Sequence, residues 1–243
     1  MSCSRRSMMM ASLSGLGLFA LGCAEKTIST MRPRPSLDWP SVPIRPTPAL
    51  GSSALVRNPS TPTPSTGSLL RSRDPLHAME RIRWTRDTAI AGRVNPMNGI
   101  RRMTVHHEGW TTVWFSDERT TAARIQQIRH IHVRDRGWGD IGYHYIIDRA
   151  GRVWQGRDLR YQGAHVKANN EHNLGVLVLG NFEKQPIPDA QMLSVQKSLY
   201  TLAAYHRVPA QRIYTHRELN PTQCPGRYLQ PKMDHLRSNG TLT

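Results

Sequence analysis

The chain has 243 residues and a formal net charge of +16, with 33 Lys and Arg against 17 Asp and Glu. That length admits one domain of ordinary size plus extensions, and a cation of this size is drawn to polyanions. The arginines are dispersed, no nucleic-acid motif occurs and the N-terminus reads as an export signal, so nucleic acid is not the expected partner. Cell-wall carboxylates, anionic wall polymers and lipid head groups remain.

Residues 1–22 read as the export signal. Arg5 and Arg6 precede the apolar stretch Met8 to Leu21, which is too short for a comfortable transmembrane helix. The paired arginines after Ser4 resemble a twin-arginine signal, and Ala20-Leu21-Gly22-Cys23 resembles a bacterial lipoprotein box, in which Cys23 is lipidated and anchors the chain to a membrane. Leu21 stands where such boxes have a small residue, and ordinary signal cleavage is the alternative. Either way the expected location is the bacterial periplasm or cell envelope. Residues 23–78 are expected to be a disordered tether. Prolines from Pro33 to Pro64 alternate with Ser and Thr, and such a segment buries too little apolar surface to offset its ordering entropy.

Residues 79–235 are expected to form an α/β domain, with 236–243 as a tail. Ile100 to His107 alternates as a strand, with Met103, Val105 and His107 on one face and Arg102, Thr104 and His106 on the other. Ser116 or Asp117 caps a helix running to about Arg136, with Ala122, Ile125, Ile128 or Arg129, and His132 at helical spacing. Ile141–Ile147 and Arg152–Gln155, joined by the turn Asp148–Gly151, predict a hairpin; Leu174–Leu179 predicts a buried strand. Asp189 is expected to cap a second helix with the stripe Met192, Val195, Leu199, Leu202 and Tyr205, before a last short strand, Ile213–His216. Strands interspersed with helices predict a central mixed β-sheet flanked by helices.

Three residues carry chemistry. His106 ends the apolar run Met103-Thr104-Val105, and His216 and Cys224 sit eight apart before a Pro-Gly turn. Two imidazoles and a thiolate suit tetrahedral zinc, and three protein ligands leave the fourth position open, as catalytic zinc sites do. One zinc per chain is therefore expected, in a cleft on the sheet. Cys224 is the only cysteine of the folded region, so it has no internal disulfide partner there; a small buried residue is the bland reading of it. Glu108 and Glu218 are candidate proton carriers, with solvated loop carboxylates as the plainer reading. Without a His-Glu-x-x-His helix, a peptidase-type zinc site lacks support.

The words Val105-His-His107, His132 through Gly137-Trp-Gly-Asp-Ile-Gly-Tyr-His-Tyr145, Gly151-Arg-Val-Trp-Gln-Gly-Arg157, Gly163-Ala-His165, Asn173-Leu-Gly-Val176, Gly180-Asn-Phe182, Thr215-His-Arg-Glu218 and Cys224-Pro-Gly226 run in order along the chain. Together they resemble the zinc-dependent N-acetylmuramoyl-L-alanine amidases, the type shared by phage lysozymes, bacterial wall amidases and animal peptidoglycan recognition proteins. The resemblance implies hydrolysis of the amide between the lactyl group of N-acetylmuramic acid and L-alanine, acting on peptidoglycan or muropeptides as a monomer. It maps His106, His216 and Cys224 onto the zinc ligands, Tyr143 and Thr222 onto catalytic positions, and His165 and Asn170 onto substrate contacts. Thr222 stands where the phage enzymes carry lysine, and Glu108-Gly109 departs from the threonine often found there in recognition proteins. A recognition protein that only holds peptidoglycan is the alternative; the presence of Cys224 argues against it.

Overall fold

The computed structural model describes residues 74–242. The export signal, Cys23 and the tether up to residue 73 lie outside the described residues. The expected architecture is the observed one: a five-stranded mixed sheet with helices on both faces. Its strands are β1 (Arg102–His107), β2 (Tyr145–Ile147), β3 (Val153–Gln155), β4 (Asn173–Val178) and β5 (Ile213–Thr215), in the order β3-β2-β4-β1-β5. β1 runs parallel to both β4 and β5, β2 is parallel to β4, and only β3 is antiparallel.

Alternation along the strands divides the interior into two cores. Met103 and Val105 of β1 and Val176 and Val178 of β4 pack with Val195, Leu199 and Leu202 of helix α2 (Asp189–His206) and with Met233 and Leu236 of helix α3 (Gln230–Ser238). On the opposite face Ile146, Trp154 and Leu177 meet Ile125 and Ile128 of helix α1 (Glu118–Arg134). Asp117 caps α1, its side chain accepting from the Thr120 N–H at 2.8 Å. In α2 the cap position is Pro188, without a side-chain bond, and Asp189 is the first helical residue. Tyr205, placed in the apolar stripe by spacing, is 51% exposed, because the helix turns it past the edge of the core. The helix ends at Arg207, which takes a left-handed conformation at φ 55° and donates its N–H to the carbonyls of Ala203 and Ala204.

Both expected domain boundaries move outward. Residues 74–78 are folded: Asp74 accepts hydrogen bonds from Tyr145 Oη (2.8 Å), Gln155 Nε2 (3.2 Å) and the N–H groups of Leu76 and Ala78. Met79 then pairs with Val153 and Gln155 along the open side of β3, which covers a sheet edge that would otherwise be bare. The region assigned to a tail is likewise structural, since Leu236 and Leu242 join Leu229 and Met233 in the core. The signal was present in the i, i+4, i+7 spacing of Leu229, Met233 and Leu236.

Asp74→Ala removes the acceptor of four hydrogen bonds and should lower unfolding free energy by about 1–3 kcal/mol in a urea titration. Asp158→Ala, which breaks an exposed pair with Arg160, should cost less than about 1 kcal/mol in the same titration.

Candidate metal centre and its cleft

The sheet register brings the two histidines together. β5 pairs with β1 as far as Thr215 opposite Val105, so the next residue of each strand, His216 and His106, emerge side by side. Adjacent strands lie about 4.8 Å apart, and the two imidazole centroids are 4.6 Å apart. Both lie at the carboxyl ends of parallel strands, where open α/β sheets carry their ligand sites. A 3-10 turn, His216–Glu218, follows directly; Glu218 accepts from the Thr215 N–H at 2.7 Å and pairs with Arg237 of α3, which fixes the turn. Glu218 is thus spoken for by the fold and is not a free proton carrier.

Cys224 completes the group. Its sulfur lies 3.8 Å from His106 Nδ1, and one ligand atom from each of His106, His216 and Cys224 falls within 4.8 Å of the others. Zinc bonds of about 2.0–2.3 Å in a tetrahedron require separations of roughly 3.3–3.7 Å, so a small inward shift would close the three around one ion. The donor set therefore fits a zinc ion. Cys224 is buried, receives the His107 N–H on its sulfur at 3.3 Å, and is held by its own N–H to Thr222 Oγ1 at 3.2 Å. Burial pushes its thiol up to about 12. Burial also carries His106 well below the ordinary imidazole value, with His165 and His216 adding to the effect. The imidazole is thereby kept neutral, the form that can donate a lone pair to a metal.

A cavity of about 270 Å³ opens over this group, and a second, of about 350 Å³, adjoins it. Both are lined by Trp110, Thr222 and Cys224, so they form a continuous cleft across the sulfur. Tyr143 lines the first, its ring centroid 5.2 Å from that of His106. Its phenol is pushed above its ordinary value by burial first and then by Cys224, which keeps it protonated and able to donate. Tyr145, its neighbour in sequence, is a core residue whose hydroxyl is committed to Asp74. Thr222 is exposed on the cleft rim, and with its oxygen accepting from Cys224 N–H its own proton is available to a ligand.

The two expected substrate contacts, His165 and Asn170, are both held by bonds within the protein. His165 borders the cavity but is buried, and both its ring nitrogens are engaged within the protein: Nδ1 is 3.0 Å from His106 Nε2, and Nε2 is 3.2 Å from the Asn173 carbonyl oxygen. Asn170 is outside the cavity lining; its Oδ1 accepts from the N–H groups of His165 and Val166, both at 2.9 Å, so it shapes the loop that carries His165. Glu108 is also corrected. It is buried rather than solvated, pairs with Arg124, and has its carboxyl raised by burial against the opposing pull of Arg124.

Sequence reasoning missed His132 as a lining group. Its Nδ1 accepts the Gly142 N–H at 3.0 Å, its ring packs tilted against Trp138 with centroids 4.5 Å apart, and burial pulls it down to about 3. The helical spacing with Ile125 and Ile128 places it on the buried side of α1, but nothing in that spacing distinguishes a core residue from one at the cavity wall. Arg136, stacked on Trp138 at 5.0 Å, is a further lining residue that periodicity does not reveal.

With this geometry in hand, likeness to known proteins is informative. The chain is 29% identical over 124 residues to peptidoglycan-recognition protein LB of Drosophila melanogaster, spanning 50% of this chain and 53% of that protein. It is 37% identical over 106 residues to the endolysin of Escherichia phage T7, covering 42% of this chain and 68% of the endolysin. Among solved structures, the N-acetylmuramoyl-L-alanine amidase LysC from Clostridium intestinale superimposes with a TM-score of 0.51 at 25% identity, over 62% of this chain and 93% of that one. The family model described as N-acetylmuramoyl-L-alanine amidase matches residues 96–227, more than half of the sequence, and the chain belongs to that family.

Proposed function

We propose that the chain is a zinc-dependent N-acetylmuramoyl-L-alanine amidase that hydrolyses the amide between the lactyl group of N-acetylmuramic acid and L-alanine in peptidoglycan or its muropeptides. The observation that carries this reading is the convergence of His106, His216 and Cys224 within 4.8 Å at a cleft also lined by Tyr143 and Thr222. A recognition protein that only binds peptidoglycan needs no such ligand set, and the buried thiol aimed at His106 favours catalysis over that alternative.

His106, His216 and Cys224 would hold the zinc, which would supply Lewis acidity to polarise a carbonyl and lower the pKa of water towards about 7. The chain's own residues do the rest. Tyr143 donates its phenolic hydrogen to the attacking water or to the oxygen that gains negative charge as the carbonyl becomes tetrahedral. A donor of this kind is worth about 3 kcal/mol. Thr222 offers a second, uncharged hydrogen bond from the cleft rim, where the phage enzymes that the chain resembles carry a cationic lysine. The cleft continues past Cys224 to Asn181 and Lys184, which gives the peptide stem or the glycan room to extend in both directions. Residues 1–22 as an export signal, and Cys23 as a lipid attachment site followed by a tether, complete the proposal and place the enzyme at the bacterial envelope.

Cys224→Ser should lose most bound zinc and nearly all hydrolysis, because a hydroxyl is a poor ligand at neutral pH; chelation should abolish muropeptide cleavage and added zinc should restore it, as read by mass spectrometry of the digest. Undiminished turnover in a zinc-free preparation would refute the mechanism.

Tyr143→Phe should keep zinc and fold while lowering turnover by roughly 10²–10³. Tyr145→Phe should act on thermal stability instead, through the lost bond to Asp74.

Cys23→Ala should move the protein from the membrane fraction to the soluble one with its activity on soluble muropeptides unchanged.

A further inference from the structure

His165 is closely fitted into the protein for a residue at the cavity wall. Its ring occupies a slot between Gly163 and Gly175, where a Cβ would lie 2.3 Å and 2.6 Å from its Cδ2. Any side chain at either glycine would expel the imidazole. Asn170 holds its main-chain N–H, and Asn173, anchored by Thr104 Oγ1 at 2.9 Å and by the Asn169 carbonyl at 2.7 Å, presents the carbonyl that meets its Nε2.

The direction of these bonds follows from valence. A carbonyl oxygen only accepts, so His165 Nε2 carries the hydrogen. In a neutral imidazole the other nitrogen is then an acceptor, and His165 Nδ1 faces His106 Nε2 at 3.0 Å. His106 must therefore donate from Nε2, which strips the hydrogen from its Nδ1, the atom 3.8 Å from the Cys224 sulfur. One carbonyl on β4 thus dictates, through two rings, which nitrogen of His106 has a free lone pair. We propose that His165 is a positioning residue of the metal centre, fixing the tautomer and orientation of His106 so that Nδ1 is ready to bind the metal. This rests on the reading of His106, His216 and Cys224 as zinc ligands. A group of this kind typically changes metal affinity by about 10–100-fold.

Two measurements test it. In the metal-free wild-type protein, long-range proton–nitrogen correlation spectra of histidine should show His106 as the Nε2–H tautomer; an Nδ1–H tautomer would overturn the proposal without any variant. Second, zinc affinity measured by competition with a chromophoric chelator should fall about 10–100-fold in His165→Leu. His165→Asn, whose Oδ1 can sit where Nδ1 was and accept from His106, should recover most of that loss, whereas His165→Gln, which places its polar atoms nearer the Asn173 carbonyl, should not. With circular dichroism showing the variants folded, wild-type affinity in His165→Leu, or equal loss in His165→Asn and His165→Leu, would overturn the role. A wild-type chain that takes up no zinc would instead refute the metal-centre reading itself, while the tautomer in the spectra would still stand or fall on its own.

Discussion

The site depends on a single register, that of the parallel ladder between β1 and β5. Because the pairing stops with Thr215 opposite Val105, the chain delivers an imidazole from each strand at the same level and on the same end of the sheet. A slip of one residue would send His106 to the face that carries Met103 and Val105, since successive side chains alternate. The register is held by what lies beneath it: Met103, Val105 and Ile213 are fully buried against α2 and α3, and no other alignment keeps them there. Apolar burial on one face thereby fixes polar geometry at the strand ends.

Around this pair the protein accumulates groups that would be costly to bury alone. His106, His107, His132, His144 and His165 are all buried, and each is drawn below its ordinary pKa chiefly by that burial. The cost is offset because their nitrogens meet backbone groups: His107 Nδ1 accepts from the Phe182 N–H, His132 Nδ1 from the Gly142 N–H and His144 Nδ1 from the Gly175 N–H. Each such bond also assigns a tautomer and so limits where the remaining hydrogen can point. Arg157 serves the same end by other means, giving its guanidinium donors to the carbonyls of Asp140, Ile141 and Gln162 and tying the segment before Tyr143 to the loop before His165.

What the sequence disclosed was local. The strand alternation at Ile100–His107, the apolar spacing of α1 and α2 and the hairpin turn at Asp148–Gly151 each follow from a few consecutive residues, and the structure contains all of them. His106, His216 and Cys224 were legible because their residue types suggest a ligand set even without contacts. His165 was not, because its meaning lies in a bond across 59 residues and in two glycines that matter only for the space they leave. Glu108 misled for a related reason: an acidic residue after a strand reads as solvated until Arg124 of α1 is known to lie against it. Asp74 looked like the end of a polar linker, since its partners Tyr145 and Gln155 are 71 and 81 residues away.

The burial of Cys224 has a further consequence, for the chemistry of its sulfur when no metal is bound. It is the free cysteine among the described residues, and thiol oxidation proceeds through the thiolate. Burial pushes this thiol up to about 12, so at neutral pH the metal-free form holds it as the unreactive acid, although the cleft reaches the residue. Peroxides and disulfides therefore meet almost no thiolate to attack them, and the sulfur stays reduced. The environment that makes the free thiolate unfavourable thus also keeps the sulfur of a metal-free ligand set chemically intact.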